Sequence, residues 1–358
     1  MRKSYQILSI LFLFSLVYSQ EIKVDQIEGK IQNTDNQKIS FCEFEKFQPD
    51  LEKVVLSRVT KIVSHDNMIF ILDERQGTIF VFDRKANFLY SIGRPGQGPG
   101  DLENPIDFYI SRKSNIYVLN KIVKRVDVFS LKGKFLSRIQ LKIPKDISYS
   151  YPSKILVDKK ENFYIAYNLS SHLIDLYNNE GEFQKKLLER EEKVIIPGIN
   201  LGNSSQILFF PNDNFILHFN SFTGVFKRVS KTGKLEKIFS VFDPVQKKQS
   251  RNIIKSIKEK REKTNSNSLS IKVFHLWSGC CIDVNSNIIV FSLLKKKEEH
   301  QKMFIFSSEG DFLYQKWLPN IENSRIESIS YYEDLFIFKN SLDEVFLSKK
   351  KEGKYEKE

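Results

Sequence analysis

The sequence predicts an all-β protein: a six-bladed β-propeller with four antiparallel strands per blade and one basic helical insertion. Three observations carry this expectation. Strand-like segments recur with a period near 47 residues, a polar-x-x-Gly turn recurs at a fixed place in the repeat, and each repeat holds four short strands.

The period is clearest in the first half. MIFILDE (68–74), IYVLNK (116–121) and FYIAYN (163–168) align so that Phe70, Tyr117 and Tyr164 stand 47 apart. Each is followed by a second segment: TIFVFD (78–83), RVDVFS (125–130) and LIDLYN (173–178). A turn and a third segment follow: NFLYSIG, KFLSRIQ and EFQKKLL. The pattern returns more weakly at 214–239, 287–317 and 335–357. Ahead of each trio lies one more apolar strand: TKIVS, IDFYIS, SKILVD, SQILFF, CCIDV and ESISYY. Alternating β-branched and aromatic residues between Gly, Asn and Asp turns argue strand, not helix. Two parallel domains or an open sandwich are the competing folds, and the repeated 47-residue spacing speaks against both.

The turn has a physical cause. Ser130/Gly133, Asn178/Gly181, Ser230/Gly233 and Ser307/Gly310 share one spacing. The polar side chain opens a tight hairpin and glycine takes the positive φ that closes it. The first repeat has Asp83 followed by Ala86-Asn87, and Asn87 is the residue expected to tolerate that conformation. In the last repeat Ser348 is followed only at Gly353.

A propeller must close its ring. Six units occupy roughly 58–358, leaving 20–57 as a lead-in. KISFCEFEKF (38–47) and EKVVLS (52–57) are expected to supply the strand that completes the last blade and removes two open sheet edges.

The chain has 358 residues, 41% of them apolar, with 30 Phe, enough for a large core. Residues 1–19 have the form of a secretory signal peptide. Arg2 and Lys3 precede the apolar stretch Ile7 to Val17, and Val17-Tyr18-Ser19 offers a cleavage site. Eleven residues span only about 16 Å as a helix, short of a bilayer core of about 30 Å. An uncleaved anchor is the alternative. No later segment is long and apolar enough to span a membrane. The mature domain is then residues 20–358, exported to the periplasm, cell surface or medium, and expected to be a monomer.

Net charge is +12. Asp243 to His275 carries nine Lys/Arg and three Asp/Glu, a net of +6, so the basic character belongs largely to an insertion at 243–276. Asp243-Pro244 suits a helix start, and Ile253, Ile254 and Ile257 give a narrow apolar stripe. The plain reading is a solvated helix on one propeller face. The sharper one is a basic arm that meets an anionic glycan or envelope surface.

Three cysteines, Cys42, Cys280 and Cys281, leave at least one thiol without an intrachain partner. A bridge from Cys42 to the vicinal pair is one option, though a domain this large does not need it. Neighbours on a strand face opposite ways, so Cys280 and Cys281 read as two small buried apolar groups, with a redox role as the alternative.

The strand ends FILD, YVLN, FVFD and DVFS, with the loop Gly93-Arg94-Pro95-Gly96-Gln97-Gly98-Pro99-Gly100-Asp101 leading to Pro105, carry a resemblance. The chain resembles the bacterial six-bladed β-propeller proteins related to the NHL-repeat family. They are often exported and often found in glycan-using species. The resemblance covers most of the mature chain and is weakest over blades four to six and 243–276. It implies an exported propeller with a binding role and supplies no catalytic residues. NHL-type propellers can bind RNA, but an exported chain rarely meets it, so no nucleic-acid partner is expected.

The glycine loop fails the phosphate-loop tests. No Lys-Ser/Thr follows its last glycine, and it leads into a strand instead of a helix. No local HxxxH pair and no GxSxG elbow exist. A propeller gathers residues from all blades at its central channel, where propeller lactonases and related hydrolases hold a metal. The inner strands offer Asp107, Lys154, Gln206, Cys280 and Glu327 there, a set with few carboxylates, so no cofactor is expected and Ca or Zn in the channel is the alternative. The leading expectation is a non-catalytic binding or scaffold module for a ligand or protein partner on one propeller face. Arg94, Gln97, Asp101 and Asn104 are the candidate ligand-binding loop, and Asp107, Lys154 and Gln206 the candidate channel lining. A metal-dependent hydrolase or lyase at the channel mouth is the competing class.

Overall fold

The computed structural model describes residues 44–50, 54–147, 150–168, 170–189, 205–210, 215–221, 224–241, 243, 248, 252, 255, 259, 277–292, 301–318, 324, 326–332 and 335–349. Among these residues, twenty-four strands form six four-stranded antiparallel sheets. Blade one is β2 (Val59–His65), β3 (Met68–Asp73), β4 (Thr78–Asp83) and β5 (Phe88–Ile92); β1 (Glu45–Phe47), which precedes them in the chain, belongs to the last blade. Blade two is β6 (Pro105–Ile110), β7 (Asn115–Asn120), β8 (Arg125–Ser130) and β9 (Phe135–Gln140). Blade three is β10 (Tyr151–Val157), β11 (Phe163–Asn168), β12 (His172–Tyr177) and β13 (Phe183–Glu189). Blade four is β14 (Ser205–Phe209), β15 (Phe215–Asn220), β16 (Val225–Ser230) and β17 (Leu235–Ser240). Blade five is β18 (Trp277–Ile282), β19 (Ile288–Ser292), β20 (Gln301–Phe306) and β21 (Phe312–Leu318). Blade six is β22 (Ile326–Tyr332), β23 (Leu335–Asn340) and β24 (Val345–Lys349), completed by β1.

The first and last strands therefore close the ring. Glu45, Lys46 and Phe47 pair with Leu347, Phe346 and Val345. Lys46 reaches Glu344 at 2.7 Å, and Phe47 meets Phe82 of blade one edge to face at 5.4 Å. The outer strand of the last blade comes from the front of the chain.

Six apolar clusters occupy the six interfaces between neighbouring blades. One joins Ile69 and Ile71 of blade one to Leu335 and Ile337 of blade six. Another joins Phe70 and Leu72 of blade one to Phe108 and Val118 of blade two. Alternate side chains of each sheet thus face opposite neighbours, which is why the middle strands read as continuous apolar runs. Cys280 and Cys281 obey the same rule. Cys280 packs with Phe219 and Phe226 of blade four, Cys281 with Phe336 and Phe338 of blade six. Both are free thiols, and burial pushes each thiol well up. Cys42 lies outside the described residues.

Gly133, Gly181, Gly233 and Gly310 all take φ near 80°, from 79° to 88°. In the first repeat the positive φ falls on Ala86 (65°) instead of Asn87. The Asp83 side chain holds that turn by accepting from the Lys85 and Asn87 amides, so the turn geometry is set by its first residue.

Register fixes the two faces of the ring. In blade one Val59 pairs with Asp73, Asp73 with Thr78, and Ile79, the next residue, with Ile92. The start of the inner strand, the turn between the middle strands and the end of the outer strand thus share one end. Every connector from an outer strand to the next inner strand leaves from this side, here called the loop face. The segment between Ser240 and Trp277 is one of them. Of this insertion, Asp243 is buried beside Lys302 at 3.4 Å, while Lys248, Asn252, Lys255 and Glu259 are helical and exposed. Its isoleucine stripe, like residues 1–19, lies outside the described residues. Among the described residues no helix is long and apolar enough to cross a membrane.

Candidate binding site on the loop face

The connector from β5 to β6 is a folded unit. Leu102 N donates to Arg94 O at 2.7 Å, Gly96 N to Leu102 O at 3.2 Å, and Asp101 N to Gly98 O at 3.0 Å. Leu102 enters the core between blades one and two. Gly93 sits at φ 71°, and a β-carbon there would lie 2.5 Å from Leu102. A β-carbon on Gly96 would run into the Asp101 carboxylate. The glycines are required because the loop doubles back on itself.

Its anchor lies in blade two. Asp127 on β8 is fully buried. It accepts from Arg138 Nε at 2.7 Å, Arg125 Nε at 3.0 Å and Asn120 Nδ2 at 2.8 Å. The two guanidiniums then turn their free N–H groups to the loop. Arg138 donates to Gln97 O at 2.9 Å and Gly98 O at 2.8 Å, and both arginines donate to Asp101 O at 3.2 Å. One buried carboxylate thus aims two rigid forks at three loop carbonyls.

The four loop residues singled out in the sequence fall into two pairs. Arg94 Nε donates to Asp101 Oδ1 at 2.8 Å, and Asp101 Oδ2 accepts from Gly98 N at 2.9 Å. These two side chains staple the loop. Each favours the charged form of the other: the Asp101 carboxyl is held down and the Arg94 guanidinium up. Gln97 and Asn104 instead face a trench. Neither side chain has a hydrogen-bond partner among the described residues.

The trench has two compartments that share Glu74, Arg75 and Asn104. The larger, about 500 Å³, is bordered also by Arg58, Lys121, Ile122 and Tyr151. The smaller, about 240 Å³, is bordered also by Gly77, Pro95, Gly96, Gln97, Leu102 and Glu103. Arg58 lies 3.3 Å from Glu74. The Lys121 and Lys124 ammoniums lie 5.8 and 5.7 Å from the centre of the Tyr151 ring. Asn104 sits at φ 55°, and its carbonyl accepts from Lys121 N at 3.0 Å, tying the loop end to the turn of blade two.

The channel wall is arranged differently. Inner strands β2, β6 and β10 carry a bulge at one place, so that Lys61, Asp107 and Lys154 stand opposite the equivalent residues Leu72, Leu119 and Ala166. Gln206 holds this level in blade four, opposite Phe219, and Ser328 in blade six, opposite Lys339. Cys280 and Glu327 do not. Cys280 is one residue beyond the level and Glu327 is the bulge residue itself, because bulges shift the count by one. Asp107 is buried, 2.9 Å from Lys61 and 3.6 Å from Lys154, and its Oδ2 accepts from Ile155 N at 2.9 Å. Gln206 Oε1 accepts from Cys280 N at 2.8 Å in the same way. Gly279 is needed beside it, since a β-carbon would lie 2.6 Å from Gln206 Nε2. These side chains tie each blade to the next. A carboxylate already shared by two ammoniums is a poor ligand for a divalent cation. Among the described residues no group of three or more His, Cys, Asp or Glu comes together to hold a metal.

Another buried carboxylate, Asp175 in blade three, is also held by charged neighbours. Asp175 lies 2.9 Å from His172 Nδ1, and His172 Nε2 lies 3.1 Å from Asp146. Burial pushes the Asp175 carboxyl up to about 6, against the pull of His172 and Lys186. Sequence reading missed Arg125, Asp127 and Arg138, and the trench residues Arg58, Glu74, Arg75, Lys121, Ile122 and Tyr151. Asp127 was detectable as a charge in a strand whose counterpart in blade one is Phe80.

Fold and trench together define a six-bladed propeller with an ordered loop on one face. The chain belongs to the DUF5128 family, described as a 6-bladed beta-propeller, whose pattern matches residues 19–278. No curated protein matches the sequence. Among solved structures, a Bacteroides fragilis protein described as exported is similar at 15% identity and TM-score 0.60, covering 89% of this chain and 98% of that one. A DUF4221 family member from Bacteroides vulgatus is similar at 8% identity and TM-score 0.56, covering 88% and 98%. A catalytically inactive virginiamycin B lyase from Staphylococcus aureus, solved with quinupristin, is similar at 11% identity and TM-score 0.50, covering 81% and 80%. At these identities the likeness is one of fold.

Proposed function

We propose that the protein is an exported binding module whose ligand or partner is taken on the loop face, in the trench beside the glycine loop. The observation that carries this is the junction at Asn104. An exposed side-chain amide with no partner among the described residues stands between two compartments, on a loop held by Arg138, Arg125 and Asp127. A loop ordered this heavily, with unused polar groups at its rim, is pre-organised for recognition. The leader-like residues 1–19 and the similar Bacteroides fragilis protein described as exported support placement outside the cytoplasm.

A binding screen of the mature chain against glycans and small molecules tests this reading, with Asn104→Ala run in parallel. At least one ligand that binds the parent and is weakened by Asn104→Ala is the expected result. Ligands that bind with no loss in the variant would move the site elsewhere. Metal analysis of the same sample addresses the hydrolase or lyase alternative, and stoichiometric calcium or zinc would favour it.

A further inference from the structure

We propose that the trench binds a hydroxylated organic anion: a saccharide unit carrying a carboxylate or a sulfate. This deepens the loop-face reading and rests on it. The larger compartment is bordered by three cations, Arg58, Arg75 and Lys121, and one anion, Glu74. Glu74 answers Arg58. Arg75 and Lys121 have no carboxylate partner among the described residues. The ring of Tyr151 holds the Lys121 ammonium in place without neutralising it. A concave site with two uncompensated cations attracts an anion, and the planar Arg75 fork matches the paired oxygens of a carboxylate or sulfate.

The smaller compartment shares Arg75 and Glu74 with the larger, lacks Arg58 and Lys121, and adds acceptors. Glu103 and Gln97 border it, and Asn104 stands at the junction. Glu103 is already 3.7 Å from Arg125, so it offers acceptor oxygens without a free negative charge. Such acceptors, with the Gln97 and Asn104 amides, pair with hydroxyl groups. A bare inorganic anion would use only the cationic end. A ligand with an anionic head and a hydroxyl-bearing body uses both. Ile122, 54% exposed, and Tyr151, 49% exposed, add apolar surface against which the C–H face of a sugar ring can lie.

Isothermal titration of the mature chain separates the outcomes. The probes are trigalacturonate for the carboxylate, a heparin-derived disaccharide for the sulfate, and maltotriose as the neutral control. The proteins are the parent, Arg75→Gln, Lys121→Gln, and Lys160→Gln on the opposite face. We expect one or both acidic probes to bind, to weaken at least tenfold in Arg75→Gln and in Lys121→Gln, and to be unchanged in Lys160→Gln. Whichever acidic probe is tighter identifies the head group. Maltotriose binding as well as the acidic probes, but still lost in Asn104→Ala, would overturn the anionic class and leave the trench as the site. Acidic binding that Arg75→Gln and Lys121→Gln do not weaken would overturn the inference. So would no binding of any probe, in which case the wider reading is decided by the screen above.

Discussion

Asp107 on the inner strand of blade two accepts the backbone N–H of Ile155 on the inner strand of blade three, at 2.9 Å. The bond crosses a blade boundary inside the ring. It is also where two lysines converge, because Lys61 and Lys154 both approach the other oxygen of the same carboxylate.

The three charges are not equivalent. Asp107→Ala leaves two lysines facing each other and a buried amide unpaired, and is expected to cost on the order of 3 kcal/mol. Burial, and Lys154 beside it, hold the Lys61 ammonium below its ordinary pKa, against the pull of Asp107. Lys61→Met removes a charge the fold already disfavours and keeps the stem, so it should cost about 1 kcal/mol or less. Urea unfolding of both variants checks the order. Equal costs would contradict it.

Arg138 should control the glycine loop more than it controls the fold. Arg138→Ala frees Gln97 O and Gly98 O while Arg125 and Asn120 still satisfy Asp127. Amide hydrogen exchange is expected to rise at 96–101 with little change in the strands of blade two. Uniform loosening of β6 to β9 would instead show that Arg138 supports the whole blade.

Glycine substitutions should be graded along the same loop. Gly93→Ala places a side chain at positive φ and against Leu102, and should cost about 2 kcal/mol or more. Gly98→Ala meets only the Asp101 carboxylate, at 3.0 Å, and should cost less. A larger loss at Gly98 in thermal unfolding would contradict the loop geometry.

Asp175 predicts a pH dependence with a definite sign. Its folded value of about 6 lies above the ordinary carboxylate value of 3.8, so the native state holds its proton more tightly than the unfolded chain. The stability it contributes is full below about 4 and is lost as pH rises through about 6, a change on the order of 3 kcal/mol. The facing groups are His172, Lys186, Asp146 and Tyr177. In Asp175→Asn that fall should be missing when urea unfolding is compared at pH 4 and pH 7. The same fall in parent and variant would assign the titration to another group.

The blades were legible in the sequence because one four-strand unit repeats with its turn residues. Phe70, Tyr117 and Tyr164 mark the period directly. Ring closure was legible as an extra apolar strand near Phe47. The faces were not legible, since only register shows that the 74–77 turn, the glycine loop and the 121–124 turn emerge together. The channel level was misplaced at Cys280 and Glu327 because a bulge leaves no mark in spacing. Arg138 was hidden because it lies on an outer strand, where Lys and Arg normally read as solvated. Arg94 and Asp101 looked like free loop groups because a seven-residue separation does not reveal a loop that folds back on itself.

The most direct test of the account is hydrogen exchange across the whole ring with trigalacturonate present and absent. Protection is expected at 74–76, 93–104 and 121–124, with none at the opposite-face turns 65–67, 111–114 and 158–161. Protection confined to those opposite turns, or to the inner strands around Asp107 and Gln206, would contradict a binding site on the loop face.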